Sequence, residues 1–121
     1  MDEIKKTEGK DIEPDDVLPE ISFEELSPEM RDACDRAGWS SLTPVQAKSI
    51  PYFLAGNDMM VQSRTGSGKT GAYILPIIQK INEQQNFAQA LVLVPTRELA
   101  LQVSREAQML TQGRNIRTAL V

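Results

Sequence analysis

The stretch Ser63-Arg64-Thr65-Gly66-Ser67-Gly68-Lys69-Thr70 sets two glycines, a lysine and a hydroxyl at the spacing that would hold a polyphosphate. Gly66 and Gly68 can reach backbone dihedrals closed to residues with a Cβ, so successive N–H groups can curl around phosphate oxygens. Lys69 would reach the β- and γ-phosphates as a point charge, and the Thr70 hydroxyl would ligate a magnesium ion bridging them. These groups specify a nucleoside triphosphate. Ser63 stands where the usual phosphate loop begins with Gly. The alternative is a polar surface loop that merely contains Gly-Lys-Thr, and the flanking elements argue against it.

Those elements are an apolar run, 58–62, that reads as a short buried strand, and Thr70-Gly71-Ala72-Tyr73-Ile74-Leu75, which reads as helix. Strand, glycine loop and helix is the context a P-loop requires, and the helix aims the positive end of its dipole at the phosphates. Pro76 is expected to kink or interrupt that helix, because it removes a donor and crowds the preceding turn.

Upstream, Ser27 caps and Pro28 opens a helix that Gly38 ends; Thr43 caps a second helix with Pro44 at its first position. Thr43 and Gln46 fit a capping box, which accounts for Gln46 without any ligand. Trp39 at a helix exit is likewise explained as a boundary residue. The chemistry also permits a second reading, in which the Gln46 amide pairs with the N6 and N7 edge of adenine and the Trp39 indole stacks on its face.

Downstream, Ala90-Leu91-Val92-Leu93-Val94 has the length and apolarity of a buried strand, and Thr96 then caps a helix that Gly113 stops. Ligands gather at the carboxyl ends of strands in open α/β sheets, so Pro95, Thr96 and Arg97 are expected on the same rim as the P-loop, where a phosphodiester backbone could bind. A surface ion pair of Arg97 with Glu98 is the competing account. The segment 115–121 alternates as a third strand.

Together these stretches resemble the DEAD-box ATP-dependent RNA helicases of superfamily 2. Phe23, Gly38-Trp39 and Thr43-Pro44-Val45-Gln46 are similar to the family's Q motif, Ser63–Thr70 to its motif I, and Pro95–Ala100 to its motif Ia. The family usually has Phe at Trp39, Pro at Leu42 and often Ala at Ser63. The resemblance implies an α/β fold, a partial RecA-like P-loop NTPase domain with a mostly parallel sheet flanked by helices. It implies ATP and Mg2+ as cofactors and RNA as partner. It gives Gln46 the adenine edge, and Trp39 or Phe23 the base face. Ser63, Thr65, Gly66, Ser67, Gly68, Lys69, Thr70 and Gly71 hold the nucleotide, with Lys69 and Thr70 catalytic and Thr70 at the metal. Pro95, Thr96 and Arg97 touch RNA.

No Asp-Glu-Ala-Asp run occurs in the chain, nor the Ser-Ala-Thr motif or a second RecA-like domain. Phosphoryl transfer depends on positioning and charge stabilisation, so the expectation is a helicase's opening portion that is close to inert alone and completed by a second RecA-like domain. The alternatives are a non-catalytic module binding adenine nucleotide or RNA, and another P-loop NTPase acting on DNA or protein.

Residues 1–20 carry −5 of the chain's net −4, leaving +1 for the rest. That acidic segment, with Pro14 and Pro19, reads as a disordered extension preceding the domain portion 21–121. The near-neutral remainder does not itself advertise nucleic-acid binding. Cys34 is single and there is no His, so neither a disulfide framework nor a zinc site is available. An acidic N-terminus without an apolar h-region leads to the expectation of a cytoplasmic protein with no membrane association.

Overall fold

The computed structural model describes residues 17–64, 66 and 68–121, together with the strand 3–6. The rest of the acidic segment lies outside the described residues, as do Thr65 and Ser67. In chain order the elements are β1 (Glu3–Lys6), a 3-10 turn (Phe23–Glu25), α1 (Pro28–Ala37), α2 (Pro44–Leu54), β2 (Met59–Gln62), α3 (Lys69–Lys80) and α4 (Arg97–Thr111).

The helix limits follow from cap chemistry. Ser27 Oγ accepts the Met30 N–H at 3.3 Å, and Gly38 closes α1 at φ 76°. Thr43 and Gln46 form the reciprocal capping box of α2, and Thr96 Oγ1 accepts the Leu99 N–H at 3.2 Å to start α4. α3 packs against all three other helices. Its Ile74, Leu75 and Ile78 join Met30, Cys34 and Leu110 in a buried cluster. Burial pushes the Cys34 thiol up from 9.0 to about 11.

Two prolines lie within helices. α3 runs through Pro76 to Lys80, so the expected interruption does not occur; Pro76 is itself buried in the face α3 turns to the core. Pro51 lies inside α2. It has no N–H to give to the carbonyl four residues earlier, which belongs to Ala47. That carbonyl instead accepts the Ile21 N–H at 3.0 Å. Tyr52 Oη accepts the Leu18 N–H at 2.8 Å, so α2 binds the incoming chain at two points.

The sheet departs from expectation. Its two described strands are antiparallel, with Glu3 opposite Gln62, Ile4 opposite Val61, Lys5 opposite Met60 and Lys6 opposite Met59. Residues 3–6, which composition assigns to a segment without regular structure, thus cover one edge of β2. An open edge presents unpaired N–H and C=O groups that capture any extended segment within reach. The runs 90–94 and 115–121 adopt no strand. A parallel strand needs neighbours to complete its ladder. None is present here among the described residues, and Leu91 and Leu93 are 82% and 84% exposed. Polar side chains connect the surrounding loops: Arg114 pairs with Glu83, and Arg117 Nη2 donates to Asn86 Oδ1 at 2.6 Å.

Two predictions follow from the packing of α1 and α2. Replacing Pro51 by Ala restores an N–H that competes for the Ala47 carbonyl, so hydrogen exchange at the Ile21 amide should accelerate; unchanged protection would refute the link. For Cys34, the folded state holds its proton to higher pH than the unfolded chain does. The stability tied to that difference is complete below pH 9 and declines as pH rises toward 11. Denaturant midpoints at pH 8 and pH 10 should therefore separate more in the native sequence than in Cys34→Ala, and equal separations would contradict it.

Candidate nucleotide-binding site

β2 delivers the chain to the loop and α3 carries it away. Gly66 and Gly68 have φ of 81° and 90°, the left-handed region where a Cβ is penalised, so both glycines have the conformation the loop demands. A Cβ built on Gly66 meets nothing within 4 Å, which leaves that side of the loop open for a ligand. Lys69 is exposed at the first position of α3 and its Nζ donates to the Ser63 carbonyl at 3.0 Å. The ammonium therefore already lies across the loop. Thr70, half-buried, follows at the second position of α3.

Gln46 is the convergence point. The residue is buried, with 2% exposure. Oε1 accepts the Thr43 N–H at 3.0 Å, which fixes the amide's orientation because a backbone N–H can only donate. Nε2 then donates to the Gly68 carbonyl at 3.1 Å. The same carbonyl accepts the Ala72 N–H at 3.3 Å, so Gln46 is bonded to the first turn of α3 as well as to the cap of α2. A primary amide has two donors and two acceptor lone pairs. One of each is used, and the remaining donor and lone pair are the pair that the N7 and N6 edge of adenine requires.

Space around that amide is tight. A Cβ on Gly71 would lie 2.6 Å from Gln46 Nε2 and 2.9 Å from the Trp39 ring; one on Gly68 would lie 2.8 Å from both Gln46 Nε2 and Thr43 Oγ1. Trp39 is half-buried and packs against the core cluster. Its indole touches the phosphate-loop helix, a contact that the boundary-residue account did not contain. Phe23 sits in the 3-10 turn, two residues after the Ile21 anchor on Ala47, which adjoins Gln46 in the chain.

Pro95, Thr96 and Arg97 are exposed at the start of α4, and they border an open cleft of about 1100 Å3 whose apolar wall includes Ile74, Ile77 and Ile78 of α3. They are outside the contact set that joins Gln46, Trp39 and the two glycines. The Thr96 hydroxyl accepts the Leu99 N–H and keeps its own proton to donate. Among the described residues no group of three or more His, Cys, Asp or Glu side chains could hold a metal.

Sequence reasoning identified Gln46, Trp39 and Gly71 separately and missed that they form one contact. The missed signal was steric: two glycines flank the lysine and threonine, and only the first of them is needed for loop curvature.

A family model described as DEAD/DEAH box helicase matches residues 43–121. The DEAD-box ATP-dependent RNA helicase CshA of Geobacillus kaustophilus is 44% identical over 98 residues, covering 79% of this chain and 21% of that protein. The ATP-dependent RNA helicase CshA of Listeria monocytogenes is 46% identical over 87 residues, covering 72% of this chain and 17% of that one. The chain therefore spans about a fifth of the length of these curated relatives. Among solved structures, a DEAD box protein from Methanococcus jannaschii superposes with a TM-score of 0.68 at 38% identity, over 80% of this chain and 28% of that one. The RNA helicase Prp28 from Chaetomium thermophilum, solved bound to ADP, superposes with a TM-score of 0.59 at 28% identity, over 90% and 26% of the two chains.

The crowding at Gly71 gives a direct test. Gly71→Ala should displace the Gln46 amide and lower stability by about 1–3 kcal/mol, the usual cost of overpacking a tight site. A variant with an unchanged denaturation midpoint and unchanged ATP affinity would show that the contact is loose.

Proposed function

This chain belongs to the DEAD/DEAH box helicase family, and from that premise we propose that it is the nucleotide-grasping portion of an ATP-dependent RNA helicase. The observation that carries the reading is the Gln46 amide, held between the Thr43 N–H and the Gly68 carbonyl with one donor and one acceptor to spare. In this reading an adenine-selecting side chain of α2 is bonded to the residue that caps the phosphate-loop helix.

In this proposal the loop N–H groups and the N-terminus of α3 hold the phosphates, and Lys69 exchanges the Ser63 carbonyl for phosphate oxygen. Thr70 is the residue that would hold Mg2+, which when bound neutralises charge between the β- and γ-phosphates. Ser63, Thr65, Gly66, Ser67 and Gly71 complete the phosphate side. Phe23 and Trp39 supply aromatic surface on the base side, and Pro95, Thr96 and Arg97 a contact to RNA backbone. ATP hydrolysis coupled to duplex unwinding is proposed for the complete helicase, with a second RecA-like domain supplying further groups and a cytoplasmic setting. No helix among the described residues is long and apolar enough to cross a membrane.

Thermal melts test the nucleotide assignment. Ligand that binds only the native state raises the melting temperature by mass action. Mg-ATP should raise it and Mg-GTP should not, and Lys69→Ala should abolish the ATP response while keeping a cooperative transition. A Lys69→Ala chain that still responds to ATP would sink the phosphate-loop assignment.

A further inference from the structure

We propose that Arg31 is a positioning residue for the aromatic platform under the adenine, holding the Phe23 ring by its face; the inference rests on the nucleotide reading above. The Arg31 guanidinium carbon lies 5.0 Å from the centroid of the Phe23 ring, within the range of a cation–π contact. The same guanidinium donates from Nη1 to the Glu24 carbonyl at 3.3 Å, one residue beyond the ring it covers. At its other end Arg31 is fixed in the first turn of α1, where its N–H donates to the Ser27 carbonyl at 2.8 Å. A planar guanidinium can stack and donate at once, which an ammonium cannot reproduce.

The nearby carboxylate is committed elsewhere. Glu25 Oε1 accepts the Ser22 N–H at 2.9 Å, and these bonds to Ser22 hold its carboxyl below the usual range. The capping box thus fixes the backbone of the 3-10 turn, the Ile21 bond to Ala47 fixes its place on α2, and Arg31 fixes the ring. Phe23 is half-buried and also packs against the core cluster, so the guanidinium and the core together hold the ring and leave a base only the part of it that stays exposed. Arg31 would then act on ATP through Phe23 and have no contact with the phosphates.

Calorimetric titrations of the full chain with Mg-ATP and with Mg-tripolyphosphate, which has phosphates and no base, separate this role from a general effect on folding. Arg31→Met should bind ATP about three- to fivefold more weakly, the scale of an exposed cation–π contact, and tripolyphosphate as before. In a Phe23→Ala background the same change should add nothing. Equal weakening for both ligands, no weakening, or full additivity with Phe23→Ala would overturn the proposal. Should Arg31→Met fail to fold, Arg31→Lys should show a smaller loss confined to ATP, and an equal loss for both ligands would again overturn it. An unchanged ATP affinity in Phe23→Ala would overturn this inference and leave the phosphate loop standing, whereas no ATP binding by the native chain would overturn both.

Discussion

The site depends on one buried amide. Gln46 closes the cap of α2 through Oε1 and binds the Gly68 carbonyl through Nε2, so two helices share one side chain. Removing it would leave a backbone donor at Thr43 and part of a carbonyl's capacity at Gly68 unsatisfied in a crowded place. The Gly68 carbonyl would keep the Ala72 N–H, and the loss of a net hydrogen bond costs about 1 kcal/mol. A Cβ at 68 would meet the amide and Thr43 and would sit on a left-handed backbone, and a Cβ at 71 would meet the amide and the Trp39 indole, so both positions suit glycine.

α2 positions everything upstream of the loop. Its interior proline frees the Ala47 carbonyl, and Ile21 uses it; Tyr52 adds a second tether through Leu18. Its C-terminal end is tied to α3 by Lys80, whose Nζ donates to the Phe53 carbonyl at 2.8 Å, a cation placed at the negative end of a helix dipole. α2 and α3 are therefore bonded at both ends, by Gln46 near their start and Lys80 near their finish. The loop's geometry is set by this helix pair more than by the sheet, which contributes two strands of four residues each.

Helix limits were legible because caps are local chemistry: Ser27, Gly38, Thr43 and Thr96 act within a turn of themselves. The P-loop was legible for the same reason. Reading Gln46 as either a cap or a ligand contact set up a false choice, since an amide with four hydrogen-bonding positions can do both. Strands were the poorer reading. Apolarity makes Ala90–Val94 a candidate, but a strand exists only with a partner, and pairing is a property of segments distant in sequence. Residues 3–6 show the converse, gaining a partner that their composition gave no reason to expect. Pro51 also escaped notice, because its effect is to free the Ala47 carbonyl, whose new donor, Ile21, is distant in sequence.

Binding of base-free Mg-tripolyphosphate to the native chain and to Gln46→Ala tests most directly whether one amide serves both the base and the loop. If the amide holds Gly68 in place, the variant should lose about fivefold in tripolyphosphate affinity, the equivalent of one net hydrogen bond of about 1 kcal/mol, although that ligand has no adenine to read. Unchanged tripolyphosphate affinity in a folded Gln46→Ala chain would contradict the account and confine Gln46 to the cap and the base.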